Sequence, residues 1–273
     1  MRTAILCSDD AHHRYLVARL CECHIVTLVV TEPGNAQRQR LWRRHRWADY
    51  RASLYHSMRR RIFGLHRYRQ RFFVSTESDR RPEREIVVDN INAAEVAAAL
   101  ENTRPDVTIV MGTSIIGKRV LKAAGGTVIN IHGGFLPDYR GNNCFFWAMY
   151  EEAWDKIGST LHLVEEEVDA GDIIAVIQWT VHPRDTPERL YCRMEKMAIE
   201  YLLRLLDDLD HGIALPHRSQ PSGGRVFRNR DRGLRHEIVF WFRYLQRNVW
   251  WIVKFLSTSG KITPNTQQKG TRS

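Results

Sequence analysis

Short aliphatic runs alternate with stretches of helical periodicity along the first two thirds of the chain. Residues 2–7, 24–31, 86–88, 106–111 and 127–131 are β-branched or aliphatic runs of the kind buried on both faces of a parallel sheet. Residues 11–23, 93–101 and 116–124 carry apolar positions at helical spacing between them. Glu32-Pro33-Gly34 closes the second run as a turn. Two further strand-like runs, 158–164 and 173–180, precede a long helical stretch over 187–210. Strands and helices in this rhythm predict an α/β fold, a Rossmann-like doubly wound and mostly parallel sheet. In such sheets ligands bind beyond the carboxyl ends of the strands, so the residues after Ile131 are the first place to look for chemistry.

Two segments break the rhythm. Between Arg38 and Arg71 stand twelve arginines and one acid, Asp49, with Trp42, Trp47, Tyr50, Leu54, Tyr55, Met58, Ile62, Phe63 and Leu65 recurring every three or four residues. This insertion, 35–82, reads as one or two amphipathic helices with an aromatic inner stripe and a guanidinium outer face. A Gly- and Pro-bearing linker, 212–224, precedes a basic, aromatic helical appendage and loose tail, 225–273, so that 1–211 reads as the catalytic domain. The excess of basic residues in these segments is larger than the net charge of +10 of the whole chain. They are either a solvated face or a surface for an anionic partner. Among such partners an acidic membrane leaflet is preferred, because Trp and Phe are interleaved with Arg and Lys. No nucleic-acid motif appears, and nucleic acid is not an expected partner.

At 31.9 kDa, with 43% hydrophobic and 26% charged residues, the chain can bury an ordinary core. No run of eighteen uncharged apolar residues is present. The opening residues read as a strand rather than a signal peptide. Five scattered cysteines argue against a disulfide scaffold, so the cytoplasm is the default location, with the inner membrane surface as a peripheral option. Cys21-Glu22-Cys23-His24 has no second ligand pair, and no metal is expected.

Asn130 and His132 are two apart on a strand, so their side chains share a face. Gly133 and Gly134 let the chain leave the sheet and let a ligand approach. A polar pair at the exit of an apolar strand is costly unless partnered, and so marks a site. The acidic turn Glu165-Glu166-Glu167-Val168-Asp169-Ala170-Gly171-Asp172 offers a carboxylate for His132 from Glu167, Asp169 or Asp172. His162 either lines the same cleft or packs in the core. Arg140 either binds substrate or braces the Gly141 turn.

Asn-x-His, then Leu-Pro-x-x-Arg-Gly, then Val-Asp-x-Gly, together resemble the folate-dependent formyltransferase family, over roughly residues 107–205. That family includes glycinamide ribonucleotide, methionyl-tRNA and sugar N-formyltransferases. The resemblance implies 10-formyltetrahydrofolate as co-substrate and Asn130, His132 and Asp169 as catalytic residues. The first two would donate to the oxyanion formed when an amine attacks the formyl carbon, and Asp169 would orient His132 and relay the amine's proton. It implies a cis Leu136–Pro137 bond, and pteridine contacts at Ile115, Ile116, Gly117, Glu165, Glu166, Glu167 and Val168. It places Gly133, Gly134 and Arg140 at the substrate.

Departures from each subfamily narrow the acceptor. Cys7-Ser8-Asp9-Asp10-Ala11-His12 lacks the phosphate-holding glycines of the glycinamide ribonucleotide enzymes. The C-terminal remainder reads as helix rather than as the tRNA-gripping barrel of the methionyl-tRNA enzymes. Asn142 to Ala148 is closest to the sugar N-formyltransferases, where a Phe-Trp helix follows the Arg-Gly turn. The expectation is therefore formyl transfer to a primary amine of a small metabolite, an amino sugar linked to nucleotide or lipid. The alternatives are a glycinamide ribonucleotide or methionyl-tRNA formyltransferase-like activity, a formyltetrahydrofolate hydrolase, or a non-catalytic binding protein on the same fold.

Overall fold

A computed structural model describes residues 1–74, 80–165, 167–182, 184–221 and 223–259, the last ten of these by backbone alone. Strands β1 (Arg2–Cys7), β2 (Ile25–Thr31), β3 (Glu85–Val87), β4 (Val107–Met111) and β5 (Thr127–His132) run parallel. A further strand, β6 (Tyr139–Gly141), stands outside this sheet, while β7 (Gly158–Leu163) and β8 (Ile173–Gln178) extend it antiparallel. The order is β3-β2-β1-β4-β5-β7-β8. The doubly wound, mostly parallel sheet read from the aliphatic runs is present. Helix α1 (Ala11–Cys23) starts where Asp10 and His13 close a reciprocal cap.

Helices cover both faces of the sheet. On one face α1 and the later helix α8 (Pro187–Asp210) bury Leu16, Leu20, Ala198, Ile199 and Leu202 against Ile5, Ile109 and Ile129. On the other, α5 (Ala94–Thr103) and α6 (Lys118–Ala124) cover Leu6, Leu28 and Val110. Thr186 caps α8 through the Arg189 N–H, and Pro187 sits in its first turn, where no N–H is needed. Ile116 and Gly117 precede α6 rather than belonging to it.

The insertion forms three helices, α2 (Gly34–Arg43), α3 (Trp47–Ile62) and α4 (Leu65–Phe72), and part of its expected polarity is reversed. Trp42, Trp47, Leu54, Met58, Ile62 and Phe63 are exposed, whereas Arg69 is buried and Arg40 and Arg59 reach inward. Each inward arginine meets an enclosed acid: Arg40 meets Glu32 at 2.6 Å, Arg59 meets Glu237 at 3.4 Å, and Arg69 meets Asp10 at 2.7 Å as well as Glu188. Its C-terminal end packs Tyr68, Phe72 and Phe73 on the core beside α1 and α8, and paired charge attaches the rest.

The segment read as a linker and appendage is bonded into the body. Arg218 bridges Ile173, and β9 (Arg225–Phe227) pairs parallel with β6. A side chain at Gly224 would strike the Pro137 carbonyl. Phe227 stacks between Tyr139 and Trp147, 5.7 and 4.9 Å away. The last helix, α9 (Leu234–Ser259), buries Phe240 against Phe146 of α7 (Cys144–Tyr150). The tail beyond 259 lies outside the described residues.

Candidate active site

The exit of β5 brings the polar pair to the rim of the sheet. Asn130 faces His162 across the antiparallel β5–β7 ladder, and His132 faces Thr160. His162 Nδ1 lies 2.7 Å from its own neighbour's carbonyl, Leu163 O, and its Nε2 lies 2.9 Å from Asn130 Nδ2. Thr160 Oγ1 donates to Gly134 O at 2.7 Å and accepts from Leu136 N at 3.2 Å, which fixes the turn leaving the strand. That turn contains the cis Leu136–Pro137 bond. A side chain at Gly134 would collide with the His132 ring and the Tyr139 carbonyl, so only glycine fits beneath the imidazole. Gly133 packs less tightly, on Glu195 and Tyr191.

Of the three acids offered by sequence, Asp169 reaches the imidazole. Its Oδ2 lies 3.5 Å from His132 Nδ1 and accepts from Gly141 N at 2.8 Å, while Oδ1 lies 3.6 Å from His162 Nε2. Asp172 instead pairs with His217 at 3.0 Å, and Glu167 with Arg140 at 2.9 Å. Asp169 has φ 50°, a left-handed conformation that Asp tolerates better than most residues. Burial alone would raise its carboxyl, but His132, His162 and the Gly141 N–H hold it well below the usual carboxylate range. His132 Nε2 donates to Tyr139 O at 2.9 Å, so both ring nitrogens are engaged. Cys144 Sγ lies 3.7 Å away, but burial pushes its thiol well above its ordinary value and leaves it no nucleophile.

The remaining sequence-derived positions fall around this centre. Arg140 is buried, and its guanidinium holds the acidic turn through Val168 O and Glu167. Asn92 ties the backbone before α6, donating to Ile115 O at 2.9 Å and accepting from Gly117 N at 2.6 Å. Ile116 is buried and the Ile115 side chain exposed. A cavity of about 560 Å³ opens between Lys118, Leu121 and Lys122 of α6 and Val164, Glu165 and Glu167. Glu166 lies outside the described residues. Among the described residues no group of three or more His, Cys, Asp or Glu is arranged to hold a metal ion.

The family profile described as formyl transferase matches residues 23–206, more than half of the chain. This chain belongs to the formyl transferase family. Methionyl-tRNA formyltransferase of Anaeromyxobacter dehalogenans is 31% identical over 141 residues, covering 51% of this chain and 45% of that protein. The chain thus spans about half the length of the curated relatives it matches. Among solved structures, a sugar N-formyltransferase from Shewanella superposes with a TM-score of 0.52 at 16% identity, covering 88% of this chain and 87% of that one. Phosphoribosylglycinamide formyltransferase from Anaplasma phagocytophilum gives 0.54 at 19% identity, covering 81% and 94%. These likenesses establish the fold. Within this member of the family, His162 is one of the positions that sequence left undecided. A histidine amid Thr, Leu and Leu has no local signature, and only strand register sets it against Asn130, 32 residues away.

Proposed function

We propose that this chain transfers the formyl group of 10-formyltetrahydrofolate to a primary amine of a small metabolite, an amino sugar carried on nucleotide or lipid. The observation that carries the reading is the His132–Asp169 contact beside Asn130 at the rim of the sheet. An amide carbonyl is a poor electrophile, and attack by the amine creates an anionic tetrahedral oxygen while the nitrogen must shed a proton. Asn130 Nδ2 offers a donor to that oxygen. His132 Nε2 offers a second once it exchanges the Tyr139 carbonyl for the adduct. Asp169, ionised and held by two histidines, orients the imidazole and takes the amine's proton through water. Collapse of the adduct breaks the bond from formyl carbon to N10, and N10 receives a proton. The cavity between α6 and residues 164–167 lies between the two segments expected to hold the pteridine, which supports its seat there. In this reading Arg140 shapes the acidic turn, since its guanidinium is already taken up by that turn.

Two observations bear on the acceptor. Asp9 and Asp10 close the β1–α1 turn, where a glycine-rich loop would hold a ribonucleotide phosphate. The sequence relatives act on methionyl-tRNA, which keeps that acceptor as the second reading. The test is an acceptor panel of amino-sugar nucleotides, glycinamide ribonucleotide and methionyl-tRNA with the formyl folate, read as a mass gain of one formyl group. An amino sugar is expected to gain it, with formate release in the absence of amine staying minor. His132→Ala and Asn130→Ala are each expected to cost about 10²–10³ in rate. Undiminished transfer by the double variant would remove the catalytic assignment, and formate release at the full rate without amine would favour a hydrolase.

Peripheral contact with an anionic bilayer belongs to the same reading. Leu234, Ile238, Phe242, Leu245 and Val249 form one stripe on α9, each 59–65% exposed, with Arg235 and Arg243 beside it. Among the described residues no helix is long and apolar enough to cross a membrane. Co-sedimentation with phosphatidylserine vesicles is expected at low salt and should weaken as salt rises. Its absence at low salt removes the membrane and leaves the chemistry untouched.

A further inference from the structure

The rim that carries His132 continues across two antiparallel strands to a second cavity. His132 pairs with Thr160, and Gln178 at the end of β8 pairs with Gly158 at the start of β7. Residues 178–182 therefore emerge on the same side of the sheet as the catalytic candidates. There a cavity of about 620 Å³ is lined by Trp154, Gln178, Trp179, Thr180, His182 and Arg247. That volume lies in the range of small-molecule sites and exceeds what one amino-acid-sized ligand fills.

The chemistry of the lining is specific. Two indoles face the space, Trp154 from the helical turn before β7 and Trp179 just beyond β8. Arg247 enters from α9, its guanidinium 4.4 Å from the Trp154 ring centre and 5.4 Å from that of Tyr244. Its Nε and Nη2 are buried and have no hydrogen-bond partner among the described residues. The other inward arginines reach carboxylates: Arg69 holds two, Arg40 holds Glu32, Arg232 holds Glu237 at 2.8 Å, and Arg59, whose Nε also has no hydrogen-bond partner among the described residues, lies 3.4 Å from Glu237. Burial pushes the Arg247 guanidinium below its ordinary value. Nε and Nη2 lie on one edge of the planar group, the edge that takes two oxygens of a phosphate in parallel. Asp155 stands at the rim, its carbonyl occupied by the Gln178 amide at 2.7 Å and its carboxylate exposed as an acceptor for hydroxyl or amino groups.

We propose that this cavity binds a nucleoside phosphate, with the base against the tryptophan walls and the phosphate on the Nε–Nη2 edge of Arg247. A bare phosphate would leave the indoles unused, and an uncharged aromatic ring would leave the buried guanidinium unanswered. The binding claim does not depend on the proposed reaction. The nucleoside phosphate is either a free nucleotide or the nucleotide end of an acceptor whose amine reaches His132.

The test titrates the full chain with UMP, AMP and inorganic phosphate, following tryptophan fluorescence and calorimetric heat. At least one nucleotide is expected to bind saturably in the millimolar range or tighter, with inorganic phosphate about tenfold weaker or more. Arg247→Gln and Trp154→Leu are each expected to weaken nucleotide binding by about tenfold or more while the thermal melt stays cooperative. Arg247→Lys, which keeps the charge and loses the two-nitrogen edge, should fall between. His132→Ala should bind as the parent does. The absence of saturable binding, phosphate binding as well as nucleotide, or parental affinity in both Arg247→Gln and Trp154→Leu would overturn the site. So would loss of binding in His132→Ala, which would place the nucleotide at the catalytic centre. Once an acceptor is known, inhibition by the nucleotide that competes with it identifies the acceptor's own handle, and non-competitive inhibition identifies a separate effector; both support the site.

Discussion

In β1, β2 and β4 the side chains driven inward are aliphatic, Leu6, Leu28 and Ile109 among them, each without measurable exposure. In α2, α3 and α4 those driven inward include Arg40, Arg59 and Arg69 beside Tyr68 and Phe72, while Ile62 and Phe63 stand 73% and 66% exposed. The two regions differ in the balance of forces that attach them. Apolar burial in the sheet is non-directional and stabilises by roughly 25 cal/mol per Å². A buried ion pair recovers little more than its desolvation, so its gain in stability is small, but removing one partner is severe. The insertion is thus held in one particular place rather than held strongly.

The largest effect should come from breaking an anchor. Arg69→Ala leaves Asp10 and Glu188 enclosed without their cation, and denaturant unfolding should show a loss of about 3–5 kcal/mol. A loss below about 1 kcal/mol would mean that the insertion is attached by something other than its arginines. The next effect sharpens the contrast from the sheet side, where Glu195 of α8 is buried with Ser159 Oγ at 3.0 Å and, among the described residues, no cation in contact. Burial pushes its carboxyl from 4.5 up to about 7. The folded state therefore favours the protonated acid, and its stabilising contribution is complete below pH 4.5 and lost as pH rises through 7. Glu195→Gln should melt higher than the parent at pH 8.5, by up to about 3 kcal/mol, with the difference shrinking as pH falls toward 4.5. An equal difference at pH 5 and 8.5 would remove the charge explanation. The smallest effect belongs to the insertion's outer face: Ile62→Ser should change stability by less than about 0.5 kcal/mol. A larger loss would show that the exposed stripe is covered.

Much of the sheet was legible because a β-branched run buried on both faces has few other fates. Helix α8 was legible from end to end, since Thr186-Pro187 starts it and its apolar stripe continues to the last turn. Asn130 and His132 could be paired from period two alone. The insertion was not legible in its orientation. Helical periodicity separates two faces but assigns neither to the interior, and the acids that receive its arginines lie far away in sequence at Asp10, Glu188 and Glu237. The acid for His132 stayed open among three candidates because a turn's geometry decides which carboxylate points inward. The pairing of β9 with β6 was invisible for the same reason as His162, since register between distant segments leaves no local trace.

Glu32 carries a consequence for anyone reshaping this scaffold. It has no exposure, and it receives Arg40 together with the backbone N–H groups of Ile91 at 3.0 Å and Ser114 at 2.8 Å. One carboxylate thus knots the segments that follow β2, β3 and β4 to the arginine-rich helices. Excising those helices by gene surgery would strip its counter-ion and leave a naked anion in the interior, next to the loop that leads into Ile115. A trimmed version of the protein would need residue 32 rewritten in the same cut, with a neutral amide in place of the acid.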